Sequence, residues 1–301
     1  MSFPYVTDFI NLIFGTRWHL PLPTFGIIVA IAVVLATAVA TRLVRSYEAL
    51  GRLPPESHAF VTDMVLVSAL AGIVGARVFD ILDNFDRFLA QPLSMIFTRA
   101  GFSIYGGLCF GILAGVLFVK RRSVPVLPML DAVAPAMMLG YGIGRIGCQV
   151  SGDGDWGIAA NLLLKPGWVP HWLWTQTYDG NIAGVIIAPP GVYPTPVYEM
   201  LMALAIFWVL WRLRLHDNRA GYLFSIYLLL AGFERLLIEK IRINPRYDLF
   251  AVQVTQAEAI SSLLVLAGLV GILATLRAKR FWTKVIVSAG VLSALSACAP
   301  H

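Results

Sequence analysis

Apolar residues in this chain are gathered into long blocks instead of being interleaved with polar positions. The blocks cover about residues 25–43, 60–82, 102–119, 127–149, 196–213, 220–241 and 256–276, with a shorter eighth at about 285–297. Each of the first seven has the roughly 18–23 residues that a helix needs to cross about 30 Å of hydrocarbon. The pattern predicts an all-α fold: a polytopic membrane helix bundle of seven transmembrane helices, with the eighth run as a candidate short hydrophobic segment. Residues 150–195 form the one long connection. They carry Gly, Pro and four tryptophans (Trp156, Trp168, Trp172 and Trp174), a composition that suits a folded cap at a membrane interface; a loose exposed connection is the other reading. No internal repeat is visible, which argues against a secondary transporter.

Loop charges give the blocks a direction. Arg42, Arg45 and Arg52 follow the first block, Lys120, Arg121 and Arg122 the third, Arg212, Arg214 and Arg219 the fifth, and Arg277, Lys279 and Arg280 the seventh. Of the alternate loops, one holds Arg87 and Arg99 and the long 150–195 stretch holds only Lys165. Cytoplasmic loops are the cationic ones, so the N-terminus and the 150–195 cap are expected outside.

Composition agrees and excludes whole classes. Of 301 residues, 58% are hydrophobic and 13% charged, about half the charge that clothes a soluble protein. A soluble enzyme, a disordered tail and a nucleic-acid binder are excluded. The net charge of +6 reads as cationic loops. Cys109, Cys148 and Cys298 are too scattered for a disulfide framework. The five histidines form no pair at ligand spacing, so no metal site and no cofactor are expected. Residues 1–17 lack the basic start of a cleaved signal peptide.

A charge inside hydrocarbon costs about 2.5–3.5 kcal/mol even on the lenient insertion scale, so each one asks for a reason. With the orientation above, Arg77, Asp80, Arg145, Tyr198, Glu199, Glu234, Arg235, Glu239, Lys240 and Arg242 all fall in the outer half of the membrane, whereas Asp131 lies toward the inner end of its span. Arg235, Glu239 and Arg242 follow at intervals of four and three, which puts them on one helical face with Glu239 able to pair with both arginines. Arginines held in this way suit bidentate phosphate recognition; a helix-stapling ion-pair network is the bland alternative. Arg145, among Gly140, Gly142, Gly144 and Gly147, adds a second arginine at similar depth. Together they outline a chamber for an anionic lipid head group.

At this point the chain resembles a known family, the prolipoprotein diacylglyceryl transferases. The resemblance rests on Gly144-Arg145-Ile146-Gly147-Cys148-Gln149-Val150-Ser151-Gly152-Asp153, with Pro23-Thr24-Phe25-Gly26, Tyr105-Gly106-Gly107-Leu108, Tyr193-Pro194-Thr195-Pro196-Val197-Tyr198-Glu199 and Glu234-Arg235-Leu236-Leu237-Ile238-Glu239 in order around it. It spans about residues 20–276. It implies a monomeric enzyme of the bacterial inner membrane whose active site faces the outer leaflet. Such an enzyme moves the diacylglyceryl group of phosphatidylglycerol to the lipobox cysteine thiol of a prolipoprotein signal peptide and releases glycerol 1-phosphate. Arg145 and Arg235 are implied to hold and neutralise the phosphate, Glu239 to orient Arg235, and Asp153 to supply the signature acid, although Asp155 in the same run competes for that place. Tyr105 stands where many members have a histidine base. A tyrosine, with its ordinary pKa near 10, is a poor base but can still donate a hydrogen bond. Arg242, Gly106, Gly107, Tyr198, Glu199 and Ser151 complete the implied lipid-binding set. Phe25, Ala231, Cys148 and Ser151 also depart from the family pattern, which leaves a non-catalytic lipid- or lipoprotein-binding homologue as the alternative.

Residues 1–276 thus form the expected transferase body, with 277–301 as an appendage. There a basic run, Arg277-Ala278-Lys279-Arg280 with Lys284, precedes a short apolar stretch and Leu295-Ser296-Ala297-Cys298. That order resembles a lipoprotein signal peptide ending in a lipobox, so Cys298 is a candidate lipidation target or substrate mimic. A chance match in a small-residue tail is the other reading.

Overall fold

A computed structural model of the chain describes residues 2–18, 20–97, 103–215, 219–249 and 252–297. In chain order the helices are α1 (Val6–Phe14), α2 (Thr24–Ala49), α3 (Val61–Asp83), α4 (Phe85–Ala90), α5 (Pro92–Phe97), α6 (Ile104–Arg121), α7 (Val126–Ser151), α8 (His171–Trp174), α9 (Thr195–Leu213), α10 (Tyr222–Glu239) and α11 (Gln256–Ala297). An antiparallel hairpin of β1 (Arg246–Leu249) and β2 (Val252–Thr255), absent from the sequence expectation, joins α10 to α11. Among the described residues, five stretches are long and apolar enough to cross a membrane: Thr24–Ala49, Ser57–Asp83, Val126–Ser151, Thr195–Leu213 and Gln256–Arg277. The two remaining predicted blocks are α6 and α10, each of 18 residues; Glu234, Arg235 and Glu239 dilute the apolar character of α10. Helices α3 and α11 carry bare hydrocarbon: Leu66, Leu70 and Ile73 on α3 and Leu263, Leu266 and Val270 on α11 are all exposed. Surface this apolar is tolerated in lipid, not in water.

The eighth run is not a separate element. Helix α11 continues through the basic run to Ala297, 42 residues in all, since no proline interrupts the helical stretch after Leu276. Cys298 lies outside the described residues.

The chain divides into two compact units, Thr37–Val133 and Met1–Ala36 with Ala134–His301, the division falling within α2 and α7. In the first unit α3 and α6 meet through glycines. A Cβ on Gly72 would stand 3.3 Å from the Gly107 carbonyl oxygen, and one on Gly106 would collide with the Gly75 backbone and Phe79. Small residues let two backbones approach where lipid supplies no hydrophobic driving force. Gly106 and Gly107 therefore serve helix packing on their α3-facing side. Tyr105, in the first turn of α6, is 36% exposed. Toward the other ends of these helices Glu48 accepts from the His58 backbone at 2.6 Å and pairs with its Nδ1 at 2.9 Å, and Arg122 lies against both Phe60 and Phe118.

The second unit holds α7, α9, α10 and α11. Met138, Ala203, Ile206, Leu210 and Leu223 form a buried cluster with Tyr141, Tyr227 and Ala231 packed against it. Gly232, Gly268 and Gly271 bring α10 and α11 together against Ser225 and Ser261. The segment between α7 and α9 is folded. Trp156 and Tyr178 stack at 5.1 Å beside Val192, and the Tyr178 hydroxyl donates to Gln149 Oε1 at 2.7 Å. Backbone bridges pair Gly157 with Arg242, and Ala159 and Gln176 with Val192. The N-terminal strand adds its own ties, Ser2 N to Asp179 O and Phe3 N to Val150 O, each 2.7 Å. This network fixes the cap over the ends of α7 and α10.

Candidate functional site

Four segments of the second unit deliver charge to one place. Helix α7 brings Tyr141 and Arg145 on one face, four residues apart. The turn that follows α7 reverses at Gly152, whose φ of +62° is accessible to glycine without strain, and carries Asp155 back toward Arg145. Helix α9 presents Glu199 in its second turn. Helix α10 presents Glu234, Arg235 and Glu239, and the chain just beyond it presents Arg242 and Asn244.

Glu199 is the centre of the cluster and is fully buried. Its Oε2 is 2.5 Å from Arg145 Nε and accepts from the Tyr141 hydroxyl at 2.8 Å. Its Oε1 accepts from Arg242 Nη1 at 3.1 Å and lies 3.8 Å from Arg235 Nη1. Asp155 is the second bridge. It pairs with Arg145 Nη1, and its Oδ1 takes Arg242 Nη2 at 2.6 Å. The Asp155 backbone carbonyl accepts from Thr195 Oγ1 at 2.6 Å and Arg242 Nη1 at 3.3 Å. Glu239 pairs with Arg235 at 3.0 Å and accepts from Asn244 Nδ2 at 2.7 Å. Arg145 also lies over the Tyr141 ring at 4.9 Å.

Glu239 pairs with Arg235, as their i,i+4 spacing leads one to expect, whereas Arg242 pairs with Asp155 and Glu199 instead of with Glu239. Helix α10 stops at Glu239, and Arg242 is turned toward the cap by the bridge with Gly157. Gly157 has no side chain because a Cβ there would stand 2.5 Å from the Ile241 carbonyl oxygen. Of the two competing aspartates, Asp155 engages the arginines, whereas Asp153 Oδ1 accepts from the Asp155 backbone at 3.2 Å. Ser151 is fully buried and its hydroxyl donates back to the Gly147 carbonyl at 2.8 Å, so it closes a helix end. Tyr198 donates to the Leu173 carbonyl at 2.7 Å and pins the cap. Tyr105, Gly106 and Gly107 belong to the other unit. Tyr141 and Asn244 went unrecognised in the sequence, since an isolated Tyr or Asn gives no periodic or charge signal, and Thr195 stood in a quoted motif without an assigned role.

Several buried polar atoms in the cluster have no hydrogen-bond partner: Arg235 Nη1, Arg242 Nε, Glu239 Oε2 and Glu234 Oε1. Unmet donors on two guanidinium groups suit an oxyanion, and burial strengthens any such contact. Burial alone would push the Asp155 carboxyl up, but the hydrogen bond from Arg242 and the charges of Arg242 and Arg145 hold it below the ordinary aspartate value. Arg242 is held correspondingly high by Asp155 and Glu199 against its own burial.

Cys148, Asp153 and Asp155 bring one donor atom each within 4.8 Å. The group does not fit a metal ion, because Asp155 is already committed to two guanidinium groups whose charge opposes a cation. Cys148 Sγ lies 3.7 Å from Arg145 Nη1 and 3.8 Å from Asp155 Oδ2.

The chain as a whole is similar to known proteins. A family model described as prolipoprotein diacylglyceryl transferase matches residues 12–274. Among similar proteins is the phosphatidylglycerol–prolipoprotein diacylglyceryl transferase of Leptospira interrogans, 29% identical over 270 residues, with 80% of this chain and 77% of that one covered. The protein of the same name from Bacillus cereus strain B4264 is 31% identical over 223 residues, covering 74% and 77%. That of Clostridium tetani is 26% identical over 210 residues, covering 70% and 78%.

Proposed function

Because the chain belongs to the prolipoprotein diacylglyceryl transferase family, we propose that it is a membrane transferase carrying the diacylglyceryl group of phosphatidylglycerol to a prolipoprotein cysteine thiol, with glycerol 1-phosphate as the leaving group. The observation that carries this reading is the arginine cluster on α7 and α10, braced on buried Glu199 and retaining free donors on Arg235 and Arg242. The thiolate attacks a glycerol carbon and negative charge grows on the phosphate. Arg145, Arg235 and Arg242 neutralise that charge inside a water-poor site, where fixed cations lower the barrier most. Glu239 and Glu199 keep the guanidinium groups aimed, and Asp155 takes the part of the signature acid. Tyr141 supports Glu199 from behind.

The enzyme sits in the bacterial cytoplasmic membrane as a monomer, N-terminus outward, with the site opening to the outer leaflet. The support for this topology is the alternation of cationic and cation-poor loops. The test is twofold. Rescue of a transferase-depleted bacterium by the intact chain, lost on Arg145→Ala or Arg235→Ala, supports the reading. Absence of diacylglyceryl transfer by the purified protein in phosphatidylglycerol vesicles with a lipobox peptide refutes it.

A further inference from the structure

One carboxylate in the cluster does no work in the arrangement described so far. Three arginines (Arg145, Arg235 and Arg242) face four acids (Asp155, Glu199, Glu234 and Glu239). Asp155, Glu199 and Glu239 each hold at least one guanidinium group. Among the described residues no ion pair reaches Glu234, although it is 97% buried (3% exposed) and its Oε1 has no hydrogen-bond partner. Its carboxyl has a side-chain hydrogen bond with Tyr141 and interacts electrostatically with Arg145 of α7, with Glu199 of α9 and with Arg235 beside it on α10; Tyr227 lies two turns earlier on α10. The acid in the first turn of α11, Glu258, is spent on Lys240 at 2.6 Å.

A buried carboxyl with an unused oxygen is costly and calls for a reason. Asp155, Glu199 and Glu239 each face a guanidinium group, so a proton arriving at any of them would break an ion pair. Glu234 is the one carboxyl of the four that could take a proton without breaking an ion pair, and its Oε1 is unpartnered. Chemistry at this site releases a proton, because a thiol must become a thioether. Tyr105 is a poor acceptor for it.

We infer that Glu234 is the general base of the transfer, a catalytic assignment that rests on the function proposed above. The S–H bond breaks and its proton goes to a Glu234 carboxylate oxygen. The sulfur electron pair forms the C–S bond to the glycerol carbon. The C–O bond to phosphate breaks, its pair leaving with glycerol 1-phosphate, which then takes the proton from Glu234. Arg145 and Arg235 hold the phosphate while Glu234 receives the proton.

The test is Glu234→Gln, which keeps shape and removes the basic oxygen. It is assayed in phosphatidylglycerol vesicles against a lipobox peptide, with thermal melting to confirm folding. At pH 7 kcat is expected to fall by about 10²–10⁴-fold, the usual contribution of a general base, with KM for phosphatidylglycerol within about twofold. The deficit should shrink as pH rises past the thiol's own pKa of about 8.5, where thiolate forms unaided. A purely structural glutamate would leave the same deficit at every pH. A second measurement uses the unaltered protein with a selenocysteine lipobox peptide, whose selenol ionises at much lower pH. The acid-side fall in kcat/KM seen with the cysteine peptide should then disappear. Undiminished turnover in Glu234→Gln, a deficit independent of pH, or an unchanged acid limb with the selenol would each overturn the assignment. If the unaltered protein transfers nothing to either peptide, it is the proposed function that fails.

Discussion

Asp155 and Arg242 lie 87 positions apart in sequence, yet Asp155 Oδ1 meets Arg242 Nη2 at 2.6 Å, and the Asp155 backbone carbonyl accepts from the same guanidinium at 3.3 Å. The same carboxylate also holds Arg145. One loop residue therefore sets the separation of two cations that arrive from different helices.

Asp155→Asn should release both guanidinium groups from that bridge and lower kcat/KM for diacylglyceryl transfer by about 10–100-fold, as loss of a charged positioning contact of about 1.5–3 kcal/mol would. Asp153→Asn should stay within about threefold of the unaltered protein. Steady-state kinetics on the two purified variants decides between them; equal losses would remove the distinction drawn here.

The depressed Asp155 pKa makes a prediction about pH. A group whose folded-state pKa is lowered adds stability that is present above the unfolded value, about 3.9, and is lost as pH falls through the folded value below it. The melting temperature in detergent should therefore show an acid decline below about pH 4 that Asp155→Asn weakens, with little difference in slope between pH 6 and 8. An unaltered acid decline in the variant would contradict the ion-pair assignment.

Glu199→Gln removes the one fully buried charge on which Arg145, Arg242 and Arg235 converge. Breaking a buried pair costs about 3–5 kcal/mol because the partner charges stay buried. A lowered melting temperature together with lost activity is expected, and bound phosphatidylglycerol should recover part of the stability by supplying a substitute anion. Thermal melts with and without the lipid measure this.

Arg235→Lys keeps the charge but not the planar fork. The variant should lose most of its turnover while folding normally, because an ammonium cannot satisfy Glu239 and a phosphate oxygen in the same geometry. Near-normal kcat would refute bidentate clamping.

Much of this architecture is written in short-range pattern. Apolar blocks about 20 residues long fix helices in lipid whatever they pack against, because backbone groups there must bond within their own segment. The order and spacing of Arg145, Arg235 and Glu239 likewise lead to the expectation of an anion site, since charge in a membrane is costly and an i,i+4 pair lies on one helical face. The continuity of α11 was less legible, as charge alone does not end a helix.

Other features belong to the tertiary structure alone. Asp153 and Asp155 are chemically the same, and only the path of the chain after Gly152 selects the one that reaches two arginines. Arg242 reads as a continuation of the α10 face until the helix stops at Glu239 and the Gly157 bridge turns it toward Asp155. Gly106 reads as a gap for a ligand until Gly75 fills it, and Ser151 as a polar donor until it bonds its own helix. Glu234 shows no special spacing at all. Its standing as the uncommitted acid appears only once α7, α9 and α10 are packed and every other carboxylate has taken its arginine. The sequence determines what each segment is. Which side chains meet depends on contacts made across tens of residues, and no local period encodes them.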